Sequence, residues 1–467
     1  MNNWKTTLNL YHVNGILKSR PLTIRRGIFQ GDSLSPLLFC IALAPLSNLL
    51  NSSNYGYNVT HGKLNHLFYM DDLKTFSKDD KQQEGLLNIV KTFSDDIMME
   101  FGLDKCAKAT FKKGTLTKTT DLQLDHNTKI KELEQEATYK YLGVNEGDGI
   151  QHSHMKEKIR KEYYRRIRLV LNTELNSANK IKAINTLAVP VVLYSFNIIK
   201  WKLSDILRLD TKTRKLLTMF RMHHPRADVD RLYVPRTSGG RGLVQLQLAY
   251  KTTTIDLNAY LKHTDDPLLQ IVKQHEQSKG VYSVTKEATK FKQEFVLLDT
   301  VQQENKSATV HAKEIKQKVK CCGQHQTQKS WENKAMHGLY PKRVNDADVD
   351  KQLTHQWLRS SGLKAETESL IISAQDQCLS TKAYHHKILE DRTDPKCRMC
   401  GKYDETVDHI VSGCPELAKT EYINRHNKAA SYIHWAVCKH YNIPSTTAKW
   451  YDHQPLTVTE NENVTIL

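Results

Sequence analysis

The sequence lacks the features that place a chain in or across a membrane. Its 467 residues hold no run of about 20 apolar residues, so no transmembrane helix is expected. The N-terminal stretch MNNWKTTLNLYHVNG has no basic-then-apolar signal layout. No repeat of fixed period and no Pro/Gly-rich linker divides the chain. We therefore expect an intracellular protein without a membrane partner.

Cysteine is too scarce and too unevenly spread for a disulfide framework. The nine cysteines are an odd number in a long chain with no export signal, so they indicate reduced thiols or metal ligands. The net charge is +17, and a chain this basic favours polyanions through counterion release. A surplus of exposed lysine is the alternative explanation. Length and a 39% hydrophobic content allow two or three ordinary domains.

The spacing of apolar residues predicts the local structure of the first third. Alternation around Asn14-Gly15 predicts a hairpin over 7–24, and helical spacing predicts a helix over 33–50 with Ser33 as N-cap. Further predictions are a hairpin over 64–76, a helix over 80–99 and a strand pair over 138–144. After Ile150 the pattern favours basic helices over 155–172, 179–192 and 204–222, and a helical connector or loose linker over 275–330.

The segment LFYMDDLKTF sets two aspartates, Asp71 and Asp72, between short apolar strands. Adjacent strand residues point to opposite faces, so both carboxylates can serve one cation only at a tight turn. Two-metal nucleotidyl transfer requires carboxylates gathered in this way. Taken alone, Tyr-x-Asp-Asp favours an ordinary acidic turn over a catalytic site.

A glycine-kinked loop and an apolar helix precede this hairpin. The loop holds the string Gln-Gly-Asp-Ser-Leu-Ser-Pro from Gln30 to Pro36. Glycine allows a close backbone approach to a nucleotide or template base, and a helix start offers free N–H groups. A capped helix after a turn explains the local sequence, but not its placement before a Tyr-x-Asp-Asp hairpin.

In this order, the motifs resemble the palm of reverse transcriptases from non-LTR, LINE-type retrotransposons of the restriction-like-endonuclease class. The matching segments are Gln30–Pro36 (motif B), Tyr69–Asp72 (motif C), 101–108 (motif D) and Tyr139–Gly143 (motif E, which grips the primer). The resemblance implies that Asp71 and Asp72 ligate Mg²⁺, with Asp71 the more direct ligand. It also implies nucleotide or template contacts, assigned to Gln30, Gly31, Tyr69, Met70 and either Lys105 or Lys108. Each lysine taken singly is also consistent with a surface residue.

The family's motif A aspartate precedes motif B, and residues 1–28 contain no aspartate or glutamate. Two aspartates from one hairpin lack the further carboxylate, on a neighbouring strand, that a two-metal site requires. Without that strand, the sheet would also expose an unpaired edge. We therefore interpret the chain as N-terminally truncated and expect no, or negligible, polymerase activity from it alone.

The basic middle of the chain resembles the family's thumb, which contacts backbone phosphates. Solvated helix faces are the alternative for any single residue. The predicted nucleic-acid contacts are Lys158, Arg165, Arg236 and Arg241. The segment 357–377 resembles the family's link to a zinc knuckle, and we interpret its acids as packing residues.

The spacing Cys397-x2-Cys400-x8-His409-x4-Cys414 offers three thiolates and one imidazole. Tetrahedral Zn²⁺ is well matched by this set, and four protein ligands leave no open position, so a structural zinc knuckle is predicted. Residues after the knuckle resemble the lead-in to the family's endonuclease, but its acidic positions are not reached, so no nuclease residue is assigned.

These observations predict an α+β fold: a partial antiparallel palm with helices, a helical thumb, a helical connector and a small zinc unit. The predicted limits are palm 1–147, thumb 148–265, connector 266–390, knuckle 391–430 and truncated lead-in 431–467. The predicted function is that of an RNA-directed DNA polymerase fragment; the alternative is a catalytically dead or domesticated nucleic-acid-binding remnant. The expected partners are template RNA, a DNA primer or target and deoxynucleotides, with no obligate protein partner inferred. The retrotransposon resemblance implies a nuclear location.

Overall fold

A computed structural model describes most of the chain. The described residues are 5–13, 15–24, 27–28, 31–60, 62–100, 102–124, 129–278, 283–295, 307–443 and 446–467. Gln30, which carries a predicted nucleotide contact, and Asn14 of the first predicted turn lie outside them.

The fold combines helices with small antiparallel sheets, in two compact units that are each discontinuous in sequence. Unit 1 comprises Met1–Ile159, Phe196–Lys200 and Thr253–Lys316. Unit 2 comprises Arg160–Ser195, Trp201–Thr252 and Gln317–Leu467. The predicted domains were contiguous stretches, and their limits stay predictions.

The strands are short, and most pair as hairpins. In chain order they are β1 (Lys5–Thr6), β2 (Asn9–His12), β3 (Gly15–Lys18), β4 (Leu22–Thr23), β5 (Tyr57–Val59), β6 (Gly62–Leu64), β7 (His66–Tyr69), β8 (Asp72–Thr75), β9 (Phe111–Lys112), β10 (Thr115–Leu116), β11 (Leu122–Gln123), β12 (Lys129–Ile130), β13 (Tyr139–Tyr141), β14 (Val144–Gly147), β15 (Gly149–Ile150), β16 (Thr459–Glu460) and β17 (Thr465–Ile466). Strands β13, β14 and β15 form a three-stranded sheet, and each other described sheet has two strands.

Helices account for most of the chain after residue 150. They are α1 (Ser35–Ser52), α2 (Asp80–Asp96), α3 (His152–Leu171), α4 (Ser177–Ala183), α5 (Val189–Leu193), α6 (Leu203–Met219), α7 (Val229–Tyr233), α8 (Leu246–His263), α9 (Pro267–Ser278), α10 (Val284–Glu294), α11 (Ala308–Asn333), α12 (Leu339–Val344), α13 (Lys351–Ser360), α14 (Ala365–Gln375), α15 (Lys382–Ile388), α16 (Pro415–Leu417) and α17 (Ile423–His440). Single turns of 3-10 helix occur at Leu103–Lys105, Arg236–Ser238 and Trp450–Asp452, and π-helical turns at Ile184–Ala188, His409–Gly413 and Ala418–Tyr422.

The predicted hairpin around Asn14-Gly15, the hairpin over 64–76 and the strand pair after 138 are confirmed by β2–β3, β7–β8 and β13–β14. The predicted helix over 80–99 is confirmed as α2, which ends three residues earlier. The three predicted basic helices are confirmed as α3, the run from α4 to α5, and α6. Most of the described part of 275–330 is helical, as the connector interpretation required.

The N-cap prediction for Ser33 is wrong. Helix α1 begins at Ser35, its N-cap residue is Leu34, and no side chain caps it. Pro36 occupies the first turn, where its missing N–H costs no helical hydrogen bond. The Asp32 carboxylate instead accepts a bond from the Leu34 N–H at 3.4 Å.

Helix α1 also corrects the expectation that no helix could cross a membrane. By length and composition alone, Ser35–Ser52 would suffice for one span. In unit 1, however, Leu46 and Leu50 of α1 pack with Leu86 and Val90 of α2 in a buried cluster. A core helix passes the same test, so this finding is weak evidence for a membrane span.

Candidate functional site

The acidic hairpin forms as a tight turn in unit 1. Strands β7 and β8 are antiparallel, and Tyr69 pairs with Asp72 across a two-residue loop of Met70 and Asp71. Met70 has φ of 54°, a left-handed conformation that costs a non-glycine residue about 1–2 kcal/mol. All four residues of Tyr69–Asp72 are exposed. The turn therefore brings two adjacent carboxylates to one end of the hairpin, as the sequence predicted.

One face of the hairpin fastens it to the helices of unit 1. Phe68 and Leu73 are cross-strand partners, and both pack against the buried α1–α2 cluster. His66 Nε2 lies 2.7 Å from the Ser47 hydroxyl of α1. Burial lowers the pKa of His66, which favours the neutral form of the ring. These contacts fix the base of the hairpin.

The other face lies against the three-stranded sheet. Lys74 Nζ donates to Glu146 Oε2 at 2.5 Å and lies 4.8 Å from the ring centre of Tyr141. Burial raises the pKa of Tyr139 and Tyr141, and the negative charge of Asp72 adds to both shifts. The structure thus brings together the predicted motif C hairpin and the predicted motif E strands.

The carboxylates at the tip fit one side of a cation site only. In the part of the chain that the structure describes, two groups hold three or more potential metal ligands within reach of one another, and neither contains Asp71 or Asp72. A two-metal clamp needs a further carboxylate from another element.

Of the predicted nucleotide contacts, Gly31, Tyr69 and Met70 are exposed. Gly31 has φ of 95°, which favours glycine and agrees with the predicted kink. Met70 Sδ lies 3.7 Å from Cys40 Sγ of α1, so the hairpin tip contacts the helix that follows the glycine loop.

The two candidate lysines of motif D lie in different environments. The side chain of Lys108 is 6% exposed, and its Nζ contacts Asp80 at 2.9 Å and the Thr120 carbonyl oxygen at 2.8 Å. Glu132 lies 4.0 Å from the same ammonium group. Lys108 therefore neutralises a buried acid, which argues against a pyrophosphate contact. Lys105 is exposed, and its carbonyl oxygen accepts a bond from the Tyr139 hydroxyl at 2.7 Å.

The predicted zinc ligands come together in unit 2. One ligand atom from each of Cys397, Cys400, His409 and Cys414 lies within 4.8 Å of all the others. We call these residues the knuckle group. Cys400 Sγ lies 3.4 Å from His409 Nε2, and Gly401 turns the chain with φ of 65°. The arrangement can hold a tetrahedral metal ion.

Backbone N–H donors favour the thiolate form of Cys400 in the knuckle group. N–H bonds from Tyr403 and Lys402, together with the neighbouring His409, lower the pKa of Cys400 to about 6. A thiolate is the form that binds metal. Buried Glu405 accepts bonds from Arg398 and from the Lys382 N–H, and these contacts lower its pKa to about 2. These bonds fasten the knuckle to α15.

The basic residues of the predicted thumb divide into two kinds. Lys158 and Arg165 are exposed on α3, where they are accessible to phosphates. The prediction for Arg236 and Arg241 is wrong. Arg236 donates to Glu368 Oε2 at 2.8 Å, and Arg241 donates to Glu368 Oε1 at 2.9 Å. Their guanidinium groups neutralise a buried acid and are not free for nucleic acid.

Sequence reasoning missed the size of this buried network. Arg231 pairs with Asp376 at 2.6 Å, and its guanidinium lies 4.6 Å from the ring centre of Tyr340. The acids of 357–377 were correctly interpreted as packing residues, but their arginine partners were not foreseen. A second Cys/His group, formed by His434, Cys438 and His453, was also missed because it lacks a Cys-x2-Cys signal.

Comparisons with known proteins agree with the order of motifs. Residues 2–145 match the family described as reverse transcriptase (RNA-dependent DNA polymerase). The chain is 30% identical over 124 residues to the retrovirus-related Pol polyprotein from the type-2 retrotransposable element R2DM of Drosophila melanogaster. That alignment covers 26% of this chain and 12% of the polyprotein. Through this segment, the chain is related to the reverse transcriptases of non-LTR retrotransposons.

Proposed function

We propose that this chain carries part of an RNA-directed DNA polymerase that copies element RNA onto a primer in target DNA. The proposal rests on one observation: two carboxylates stand at the exposed tip of a hairpin within the segment that matches reverse transcriptases. Its substrates would be deoxynucleotides, its template RNA and its primer a DNA end. Such work requires access to chromosomal DNA, so the proposed location is the nucleus.

The proposed roles follow the geometry of unit 1. Asp71 and Asp72 would ligate Mg²⁺, and the β13–β14 strands beside them would hold the primer end. The glycine loop from Gln30 to Gly31, Tyr69 and Met70 would contact the incoming nucleotide or template. Lys105 is preferred over Lys108 as the phosphate contact because its ammonium group is exposed.

We further propose that this chain alone has negligible synthetic activity. Two adjacent carboxylates can hold a cation weakly. Stabilising both the attacking and the leaving oxygen requires further metal ligands on the opposite side of the site. A strand beside β7–β8 that bears another carboxylate would provide these ligands. It would also cover a sheet that has two strands in the described structure.

Primer extension on a primed RNA template tests both statements. The 467-residue chain should give negligible Mg²⁺-dependent synthesis, while a chain extended by an acid-bearing strand that pairs beside β7–β8 should synthesise DNA. In the extended chain, Asp71→Asn and Asp72→Asn should abolish synthesis. Asp96→Asn, which changes an exposed acid at the end of α2, is the matched control. Robust synthesis by the shorter chain would refute the incomplete-site proposal. Synthesis that survives Asp71→Asn would refute the assignment of the hairpin.

A second candidate function, nucleic-acid binding without chemistry, is supported by the knuckle group. All four of its ligand atoms are close together, whereas the acidic tip is a half-site. We propose that the knuckle group binds a structural Zn²⁺ and that this part of the chain helps to hold nucleic acid. Fluorescence anisotropy with a labelled RNA–DNA duplex tests this function separately, because binding should persist in Asp71→Asn and weaken when zinc is chelated.

A further inference from the structure

A second group of potential metal ligands lies at the C-terminal end of unit 2. It consists of His434, Cys438 and His453, which we call the C-terminal group. His434 and Cys438 are separated by one helical turn on α17, so they share one face of the helix. His453 follows the 3-10 turn Trp450–Asp452. The group therefore joins a helix to the segment that folds back on it.

The spacing of the three ligand atoms is close to that of a metal site. His434 Nδ1 lies 2.8 Å from His453 Nε2 and 3.4 Å from Cys438 Sγ. Zinc–nitrogen bonds of about 2.0–2.1 Å at tetrahedral angles place two nitrogens about 3.3 Å apart. A shift of about half an ångström between the two rings would thus admit the ion, and the sulfur is already at a suitable distance.

The His434 and His453 rings stack with their centroids 5.0 Å apart, and few of the described residues around them are both apolar and buried. Within the described part of 423–467, the buried hydrophobic residues are Cys438 and Ile443. Cys438 is 0% exposed and His453 is 9% exposed, so potential metal ligands are among the most buried side chains of this segment. His434 Nε2 is buried without a hydrogen-bond partner. The polar contacts of that ring are therefore directed through Nδ1 toward the other two ligands.

Among the described residues, α17 and the returning segment also share two hydrogen bonds and one aromatic pair. Ser431 donates to the His453 carbonyl oxygen at 3.1 Å, and the Trp435 ring N–H donates to the Thr447 carbonyl oxygen at 2.9 Å. The rings of Tyr432 and Trp450 meet edge to face. Each net hydrogen bond contributes about 1 kcal/mol, which is little to hold a segment of this length. A metal ion would supply a much stronger link.

We propose that His434, Cys438 and His453 bind a Zn²⁺ ion that fastens the C-terminal segment to α17, with water as the fourth ligand. One thiolate and two imidazoles suit zinc, whereas Mg²⁺ and Ca²⁺ prefer oxygen ligands. The site is separate from the knuckle group and requires no polymerase activity.

The zinc content of the purified full chain tests the proposal directly. The wild-type chain should hold about two zinc ions, one in each group. Cys438→Ser and His453→Gln should each lower the content to about one, as should the double variant Cys397→Ser/Cys414→Ser. Combining the two sets should remove zinc altogether. His426→Gln, an exposed histidine on α17, and Cys321→Ser, an exposed cysteine, are matched controls and should keep both ions.

Cobalt substitution and proteolysis of the wild-type chain test the same proposal without relying on variants that fail to fold. After zinc is exchanged for Co²⁺, titration should show two classes of tetrahedral site. The site with one thiolate should give the weaker sulfur-to-cobalt absorption. Limited proteolysis should cut near residues 440–450 after chelation and not before. About one zinc ion in the wild-type chain, with none in the knuckle double variant, would overturn the proposal. So would full zinc content in a folded Cys438→Ser variant.

Discussion

Arg241 donates to Glu368 across 127 positions of sequence, with Nε and Oε1 2.9 Å apart. The side chains are 1% and 3% exposed. Ser177 also donates to Glu368, at 2.6 Å. A single buried carboxylate thus joins α14, the loop after Arg236 and the start of α4 within unit 2. Its charge is compensated by two guanidinium groups, since Arg236 binds the same carboxylate.

Glu368→Gln should destabilise unit 2 strongly. Removal of one partner from a buried ion pair leaves an uncompensated charge, which costs about 3–5 kcal/mol. Urea unfolding followed by circular dichroism measures the loss. Glu366→Gln on the same helix is the control, because Glu366 is 65% exposed and lies 3.7 Å from Arg221. That change should stay within about 0.5 kcal/mol. Equal effects of the two substitutions would contradict the buried-network assignment.

This network explains why sequence reasoning assigned Arg236 and Arg241 wrongly. A basic turn with glycines has the composition of a phosphate site, and nothing local distinguishes the two uses. The distinction depends on Glu368, which lies far along the chain. Long-range partners of buried charges cannot be inferred from one sequence, whereas local patterns can.

Lys108→Ala should destabilise unit 1, and Lys105→Ala should not. The Lys108 ammonium contacts the half-exposed Asp80 at 2.9 Å and is a cationic partner of Glu132, which lies 4.0 Å away and whose side chain is 1% exposed. Loss of this partner should cost about 3 kcal/mol or more, as for other buried pairs. Lys105 is exposed, and its contribution is made by its backbone carbonyl, which alanine retains. Thermal unfolding of both variants gives the comparison. A Lys108→Ala chain as stable as the wild type would restore Lys108 as a candidate nucleotide contact.

The contribution of His223 to the stability of unit 2 should fall as the pH is lowered from about 6.5 to about 4, while Asp210, whose pKa burial raises to about 6, acts in the opposite direction. Burial, with positive charge from Arg241 and Arg214, lowers the pKa of His223 to about 4. The unfolded chain binds a proton near pH 6.5 and the folded chain does not, so this contribution falls as the pH drops through this window. The loss should approach about 3 kcal/mol, at 1.36 kcal/mol for each pH unit.

His223→Gln should make unit 2 relatively more stable at the acid end of this window than the wild-type chain, because it removes the group that takes up a proton on unfolding and leaves the opposing contribution of Asp210. The exposed His426 provides the control, and His426→Gln should leave the slope unchanged. The free energy of unfolding from urea titrations at several pH values gives both slopes. Identical slopes in the wild-type chain and His223→Gln would show that another group is responsible.

The acidic hairpin and the knuckle group could be predicted because their signals are local. Two short apolar runs that flank Tyr69–Asp72 predict a hairpin, and the short Cys397–Cys400 spacing predicts half of a metal site. The C-terminal group was missed because His453 belongs to another segment and is brought to α17 only by the fold. The N-cap of α1 was missed because Asp32 bonds the Leu34 N–H before the helix begins.

Exposed cations on α3 should contribute to nucleic-acid binding, in contrast to the buried arginines. Arg165 is 60% exposed and pairs with Glu162, which is 31% exposed, at 2.7 Å, so solvent weakens the pair and phosphate can replace the carboxylate. Lys158→Ala/Arg165→Ala should weaken binding to an RNA–DNA duplex at all sequences. Each lost phosphate contact lowers the slope of log K against log salt by about 0.9 for B-form duplexes, so the double variant should lose about 2. Anisotropy titrations at several salt concentrations measure the slope, with Lys351→Ala, an exposed lysine on α13, as control. An unchanged slope would show that the phosphate contacts lie elsewhere. Only cations that contact the nucleic-acid backbone release counterions and so contribute to the slope.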